Sequence, residues 1–166
     1  ELTPVSVAAA MGKEAELRMM DKYSTIDLEH KNSDGRTPLN LAAYVGRASM
    51  VQLLGYYGNI DIADDVDMTP THWAVTKVDS STLLACLTLC PDLTLKDNRN
   101  NTALDIAILV GNTEGQDHIE NFLSRPPGGC WVGGEEYPAK GYLFFDCKQM
   151  QCMCQGWWRQ TGVMDP

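Results

Sequence analysis

Apolar residues along this chain recur in one figure. A Thr opens a short apolar run that ends near a Gly, a second apolar run follows at helical spacing, and an Asp/Asn-rich stretch closes the unit. Four stretches align, Thr3–Gly12, Thr37–Gly46, Thr69–Val78 and Thr102–Gly111, with leading threonines 34, 32 and 33 residues apart. Self-similarity at such a period marks a repeat architecture. The Thr hydroxyl is suited to cap a helix, and Pro4, Pro38 and Pro70 occupy the first helical position, where a missing N–H costs nothing. Gly12, Gly46 and Gly111 permit a left-handed stop. A second helix is predicted from Met50, Val51, Leu53 and Leu54 in the second unit, and from Leu83, Leu84 and Leu87 in the third. Asn32–Gly35, Asp64–Asp67 and Asp97–Asn100 supply turns. A single helix pair is too small to bury its own apolar face, so neighbouring units must provide the core.

The second unit is the most regular: Asp34-Gly35-Arg36, then Thr37-Pro38-Leu39-Asn40-Leu41-Ala42-Ala43, then Gly46, with Leu53-Leu54 ahead of Gly58. It resembles the ankyrin repeat family, and the related segments extend that resemblance over residues 3–124. The third unit keeps the motif His as His72 but has Val78-Asp79 where Gly-His is usual. The fourth has Ala103 for Pro and Asp105 for His, and reads as carrying an insertion of about three residues ahead of Ile119. The first is degenerate, as an end unit is expected to be. The resemblance implies a mainly α solenoid of four helix-pair units and a non-enzymatic protein-binding scaffold. It also implies a partner surface made of turn tips and of the inner-helix positions after the Ala pair. Carried over position by position, that surface includes Arg36, Tyr44, Met68, Lys77, Arg99 and Leu109. Aromatic and Arg side chains are the usual energetic anchors of interfaces, which puts Arg36, Tyr44, Met68 and Arg99 foremost.

Charge changes this picture in one respect. The 166 residues hold 13 Lys+Arg against 22 Asp+Glu, a net charge of −9. That balance argues against general nucleic-acid binding, which needs clustered cations. No apolar run approaches the ~18 residues of a membrane span, so no membrane insertion is expected. Residues 1–124 hold 9 Lys+Arg and 18 Asp+Glu, whereas residues 125–166 hold 4 of each. The acidity therefore belongs to the repeats, where a basic protein partner would meet it. Between the two parts, Ser124-Arg125-Pro126-Pro127-Gly128-Gly129 cannot continue a helix. The expected division is a repeat domain over 1–124, a Pro/Gly linker over 125–129 and a cysteine-rich module over 130–166.

Cys86 and Cys90 lie one helical turn apart and read as small buried hydrophobes. Cys130, Cys147, Cys152 and Cys154 crowd the last part of the chain. About 40 residues cannot build an adequate core without staples. Two disulfides among these four, in any of three pairings, would provide them. A four-cysteine zinc site is the competing reading, although paired knuckles are lacking. Tyr142, Phe144 and Phe145 are strand formers. Cys130, Gly134, Tyr137, Gly141, Phe144, Asp146, Cys147, Cys152, Cys154, Gly156 and Trp157 together resemble the first half of a von Willebrand factor C or fibronectin type I-like module. Four residues separate Cys147 from Cys152 instead of the usual two, and the second half of a C-type module is missing. The resemblance implies a small disulfide-stapled β module on an extracellular protein. Trp131, Trp157 and Trp158 are expected to pack on the end of the fourth repeat, with a ligand patch as the other reading.

No phosphate loop, dinucleotide fingerprint or metalloprotease helix occurs, and His30, His72 and His118 lack triad partners, so neither catalysis nor a cofactor is expected. Asp61, Asp64, Asp65 and Asp67 are acidic enough to attract Ca²⁺ but lack the EF-hand pattern, and read as a solvated turn. Asn100-Asn101-Thr102 is a glycosylation sequon, used at Asn100 only in a secreted protein. Glu1 in first position is what a processed or trimmed N-terminus would leave. The expected function is a secreted binding scaffold. The alternatives are a secreted inhibitor or toxin-like blocker of an enzyme or channel, and a cytoplasmic adaptor with a zinc-binding tail. Oligomeric state is open.

Overall fold

The structure, a computed structural model, describes residues 3–23, 27–77, 79–124, 129–132 and 135–138. The side chains of residues 21–23, 129–132 and 135–138 lie outside the description. Among the described residues, eight helices form four consecutive pairs: α1 (Pro4–Met11) with α2 (Glu14–Tyr23), α3 (Pro38–Val45) with α4 (Ala48–Tyr57), α5 (Pro70–Val75) with α6 (Ser81–Thr88), and α7 (Ala103–Val110) with α8 (Thr113–Leu123). The odd-numbered inner helices pack side by side in chain order, and α4, α6 and α8 pack likewise behind them. Two short strands, β1 (Gly129–Val132) and β2 (Glu135–Pro138), pair antiparallel, with Cys130 opposite Tyr137.

Each inner helix starts as its sequence predicts. The hydroxyls of Thr3, Thr37 and Thr102 accept the backbone N–H groups of Ser6, Asn40 and Asp105, each at 3.2 Å. In the third unit the His72 side chain bonds back to the cap: its Nδ1 accepts the Thr69 N–H at 3.2 Å and lies 2.8 Å from the Thr69 hydroxyl. Gly12, Gly46 and Gly111 end α1, α3 and α7 at φ 72, 85 and 70, the left-handed conformation a Cβ disfavours. The third unit has Thr76 at that stage, with φ −72, and α5 stops after six residues.

Ala8, Ala9, Ala42, Ala43, Ala74 and Ala107 are buried where inner helices meet, and small side chains there allow close approach. Leu54, Cys86 and Ile119 stand 17 residues after their leading threonines, and all are buried. That common spacing corrects the expected insertion in the fourth unit: Ile119, not the Phe122-Leu123 pair, occupies the core position, and α8 runs on past it. Leu84 is likewise corrected, being 44% exposed, while Thr82, Leu83, Ala85, Cys86 and Leu87 form the buried side of α6. Polar groups tie units together. Asn40 Nδ2 donates to the Ile62 carbonyl at 3.0 Å, and Asn112 Nδ2 donates to those of Val75 and Lys77 at 2.8 and 3.1 Å.

Burial pushes the Cys86 thiol up to about 12, which makes it an inert apolar filler. Cys90 departs from the expected buried hydrophobe. It lies two residues beyond α6 with φ 60, half-buried and disulfide-bonded, and its partner sulfur lies outside the described residues. The cysteine-rich module expected over 130–166 is described only as the backbone of β1 and β2. The sulfurs of Cys130, Cys147, Cys152 and Cys154 and the rings of Trp131, Trp157 and Trp158 lie outside the described residues.

Candidate protein-binding surface

Three turns ahead of the inner helices share one geometry. The residue five places before each leading Thr uses a single side-chain oxygen to accept two backbone N–H groups. Asn32 accepts those of Asp34 and Arg36 at 2.9 Å each; Asp64 accepts those of Val66 and Met68 at 3.1 and 2.9 Å; Asp97 accepts those of Arg99 and Asn101 at 2.9 and 2.8 Å. The next-to-last position of each tip has positive φ: Gly35 at 70, Asp67 at 59 and Asn100 at 69. Adjacent tips are joined, since Asp65 N–H donates to the Asp34 carbonyl and Asn98 N–H to the Val66 carbonyl, both at 3.2 Å. The result is a continuous row of tips carrying the exposed carboxylates Asp34, Asp65 and Asp67. Burial pushes the Asp97 carboxyl up, but hydrogen bonds from Asn101 and Arg99 outweigh it and hold it below the usual carboxylate range.

Beneath the tips, Asp64 is a hub. Its Oδ2 accepts Trp73 Nε1–H at 2.9 Å and lies 3.4 Å from Arg36 Nε, while its Oδ1 serves the turn. It is buried, which corrects the reading of this acidic run as a wholly solvated turn. Asp61 also has a structural task, accepting the Asp92 N–H at 2.8 Å from the next unit. Among the described residues no group of three His, Cys, Asp or Glu is placed to hold a metal ion.

The Arg36 guanidinium lies 4.3 Å from the centroid of Tyr44 and 4.7 Å from that of Trp73, and Nη1 is 3.7 Å from Asp34. Tyr44 and Trp73 meet edge to face at 4.9 Å, and Lys77 Nζ sits 4.8 Å from the Tyr44 centroid. The structure thus brings Arg36, Tyr44 and Lys77 into one cluster across units two and three. Arg36 is held within it, its side chain 18% exposed, whereas Tyr44 presents 39% of its surface. Met68 is half-buried against the core, Arg99 is exposed on the third of these tips, and Leu109 is 71% exposed on α7. Asn100 is exposed and accepts from Lys96 Nζ at 3.3 Å.

Two members of the cluster, Asp64 and Trp73, were missed by motif reasoning. Asp64 repeats the position of Asn32 and Asp97, and that repetition is the signal that could have found it. Trp73 stands where the other units have Val7, Leu41 and Ile106, an aromatic in an aliphatic column. A second pattern emerges on the inner helices. Met11, Tyr44, Val45, Leu109 and Val110 are all exposed, and all occupy the two positions just before the closing Gly. They put apolar side chains at the surface in units one, two and four, whereas unit three has Thr76 and Lys77 at those positions.

Residues 34–65 match the ankyrin repeat family model, the stretch from the tip of the second unit through α3 and α4 to the next tip. The mainly helical, paired architecture on either side of that stretch is consistent with ankyrin repeats. Ankyrin repeats are generally non-enzymatic domains of protein interaction. No curated protein matches the chain. Among the described residues, no helix is long and apolar enough to cross a membrane.

Proposed function

We propose that this protein is a non-catalytic scaffold that binds a protein partner across the tips and inner helices. The observation that supports this most is the exposure of Met11, Tyr44, Val45, Leu109 and Val110 at two matching positions of units one, two and four. Large apolar side chains brought to the surface at matching places on a rigid stack suit recognition, because a preformed surface loses little entropy on binding. The bordering carboxylates Asp34, Asp65 and Asp67, with the −9 charge of the chain, favour a partner with basic groups around an apolar centre. Tyr44 and Leu109 are the proposed anchors. Lys77 and Arg99 are rim contacts, and Arg36 acts through Tyr44, which it holds in place. The proposed setting is extracellular, supported by the disulfide at Cys90 and the exposed sequon residue Asn100.

The test is capture of partners by the full chain, comparing wild type with Tyr44→Ala and Leu109→Ala. Each variant is expected to weaken capture at least about tenfold while leaving the circular dichroism unchanged. Undiminished capture by both would refute the surface. Intact mass before and after reduction, and after glycosidase, examines the setting: a free thiol at Cys90 and no glycan at Asn100 would count against secretion.

A further inference from the structure

The repeat supplies its own standard for what each face of a unit should bury. At the seventh position from the leading Thr, counting the Thr as first, stand Ala9, Ala43, Val75 and Ile108. The first three are fully buried, each beneath the following unit, whereas Ile108 is 56% exposed. At the third position Val5, Leu39 and Thr71 are buried, whereas Leu104 is only half-buried. Leu123, where the chain leaves α8, is 54% exposed. The side of the fourth unit that would receive a fifth is therefore apolar and bare, and such an end needs a cover.

We propose that residues 129–166 of this same chain fold back over the end of the fourth unit, covering Leu104, Ile108 and Leu123 in place of a fifth repeat. Proximity is the first argument. The segment begins after Arg125–Gly128, four residues that reach at most ~14 Å, so its local concentration at the face exceeds that of any free partner. Composition is the second. The segment holds seven of the chain's 13 aromatic residues, Trp131, Trp157 and Trp158 among them, in a quarter of its length. It carries 3 Lys+Arg and 4 Asp+Glu, so the acidic stack repels it only weakly. The third is covalent. Cys90 and Leu123 each lie 21 residues after a leading Thr, which makes them equivalent positions in adjoining units. Cys90 is disulfide-bonded, and Cys86, the other cysteine of the repeats, is free. The partner sulfur lies outside the described residues, and in this arrangement it belongs to the cysteine-rich segment, one unit away from the bare face.

The experiment places a photo-crosslinking benzoylphenylalanine at position 108 of the full chain, using mixed ¹⁴N and ¹⁵N protein to separate links within a chain from links between chains. The expected product is a link within one chain to tryptic peptides of residues 129–166. Links between chains would assign the face to a second copy and overturn the proposal; so would no link to the segment at all. As a second measurement, Leu123→Gln leaves the stack's core intact, adds no tryptic site and is expected to speed tryptic cleavage at Lys140, Lys148 and Arg159 by about tenfold, as loss of one buried leucine implies. Unchanged cleavage would equally overturn it.

Discussion

At Arg36 a charged side chain is occupied before any partner arrives. Asp64 lies 3.4 Å from its Nε, and its guanidinium carbon lies over the rings of Tyr44 and Trp73. An Arg at a turn tip is readable in sequence as an anchor for a partner, but its engagement depends on a carboxylate 28 residues away. His72 shows the same dependence. Its place in the motif predicts a ring that ties turns together, and it does bond Thr69. Burial lowers its pKa from 6.5, against the opposing pull of Asp97 and the backbone of Asn101 and Leu95. Because the folded pKa lies below the unfolded one, the neutral ring's contribution to stability is complete above pH 6.5 and is lost as pH falls below it. Urea unfolding between about pH 7.5 and pH 5 should show this loss, and His72→Asn, which copies Asn40 of the second unit, should show a shallower one. Equal slopes would remove His72 as the cause.

Among the elements, the tips and the helix ends place different demands on glycine. Gly35 and Gly111 share φ +70, so alanine at either position costs about 1–2 kcal/mol of left-handed strain. A Cβ at Gly111 would meet nothing within 4 Å, whereas one at Gly35 would lie 2.6 Å from the Asp65 backbone nitrogen. That nitrogen makes the bond that joins the first two tips. Gly35→Ala is therefore expected to cost clearly more than Gly111→Ala, by about 1–2 kcal/mol further in chemical denaturation. Similar losses would show that the tips adapt. The starts of the inner helices and the stops of α1, α3 and α7 were legible from Thr, Pro and Gly alone, because capping is local chemistry. The side of α6 that packs was not. Its run Leu83-Leu84 offers two equal leucines, and only the neighbouring helices decide that Leu83 goes in and Leu84 out.

For the molecule as a whole, stability resides in the joints between units. Asp64 is the most connected of these, receiving Trp73 of its own unit and Arg36 of the one before, at a buried position. Asp64→Ala leaves these two donors, and the Val66 and Met68 N–H groups of its own turn, without their acceptor and is expected to cost at least about 3 kcal/mol. It should also broaden the unfolding transition, since units two and three would then separate more readily. A sharp transition at the wild-type midpoint would show that apolar packing alone couples the units.

The sequence by itself determined the period, the helix pairs, the caps and the division of charge, all of which arise from interactions within about one unit's length. The tertiary structure decided which chemistry faces outward. It buried Asp64, engaged Arg36, exposed Met11, Tyr44, Val45, Leu109 and Val110, and left Ile108 uncovered where Val75 is not. Those outcomes rest on contacts between residues about 30 positions apart in adjoining units. A side chain's exposure depends on whether the next unit is there to cover it, and the residue's own identity carries no record of that.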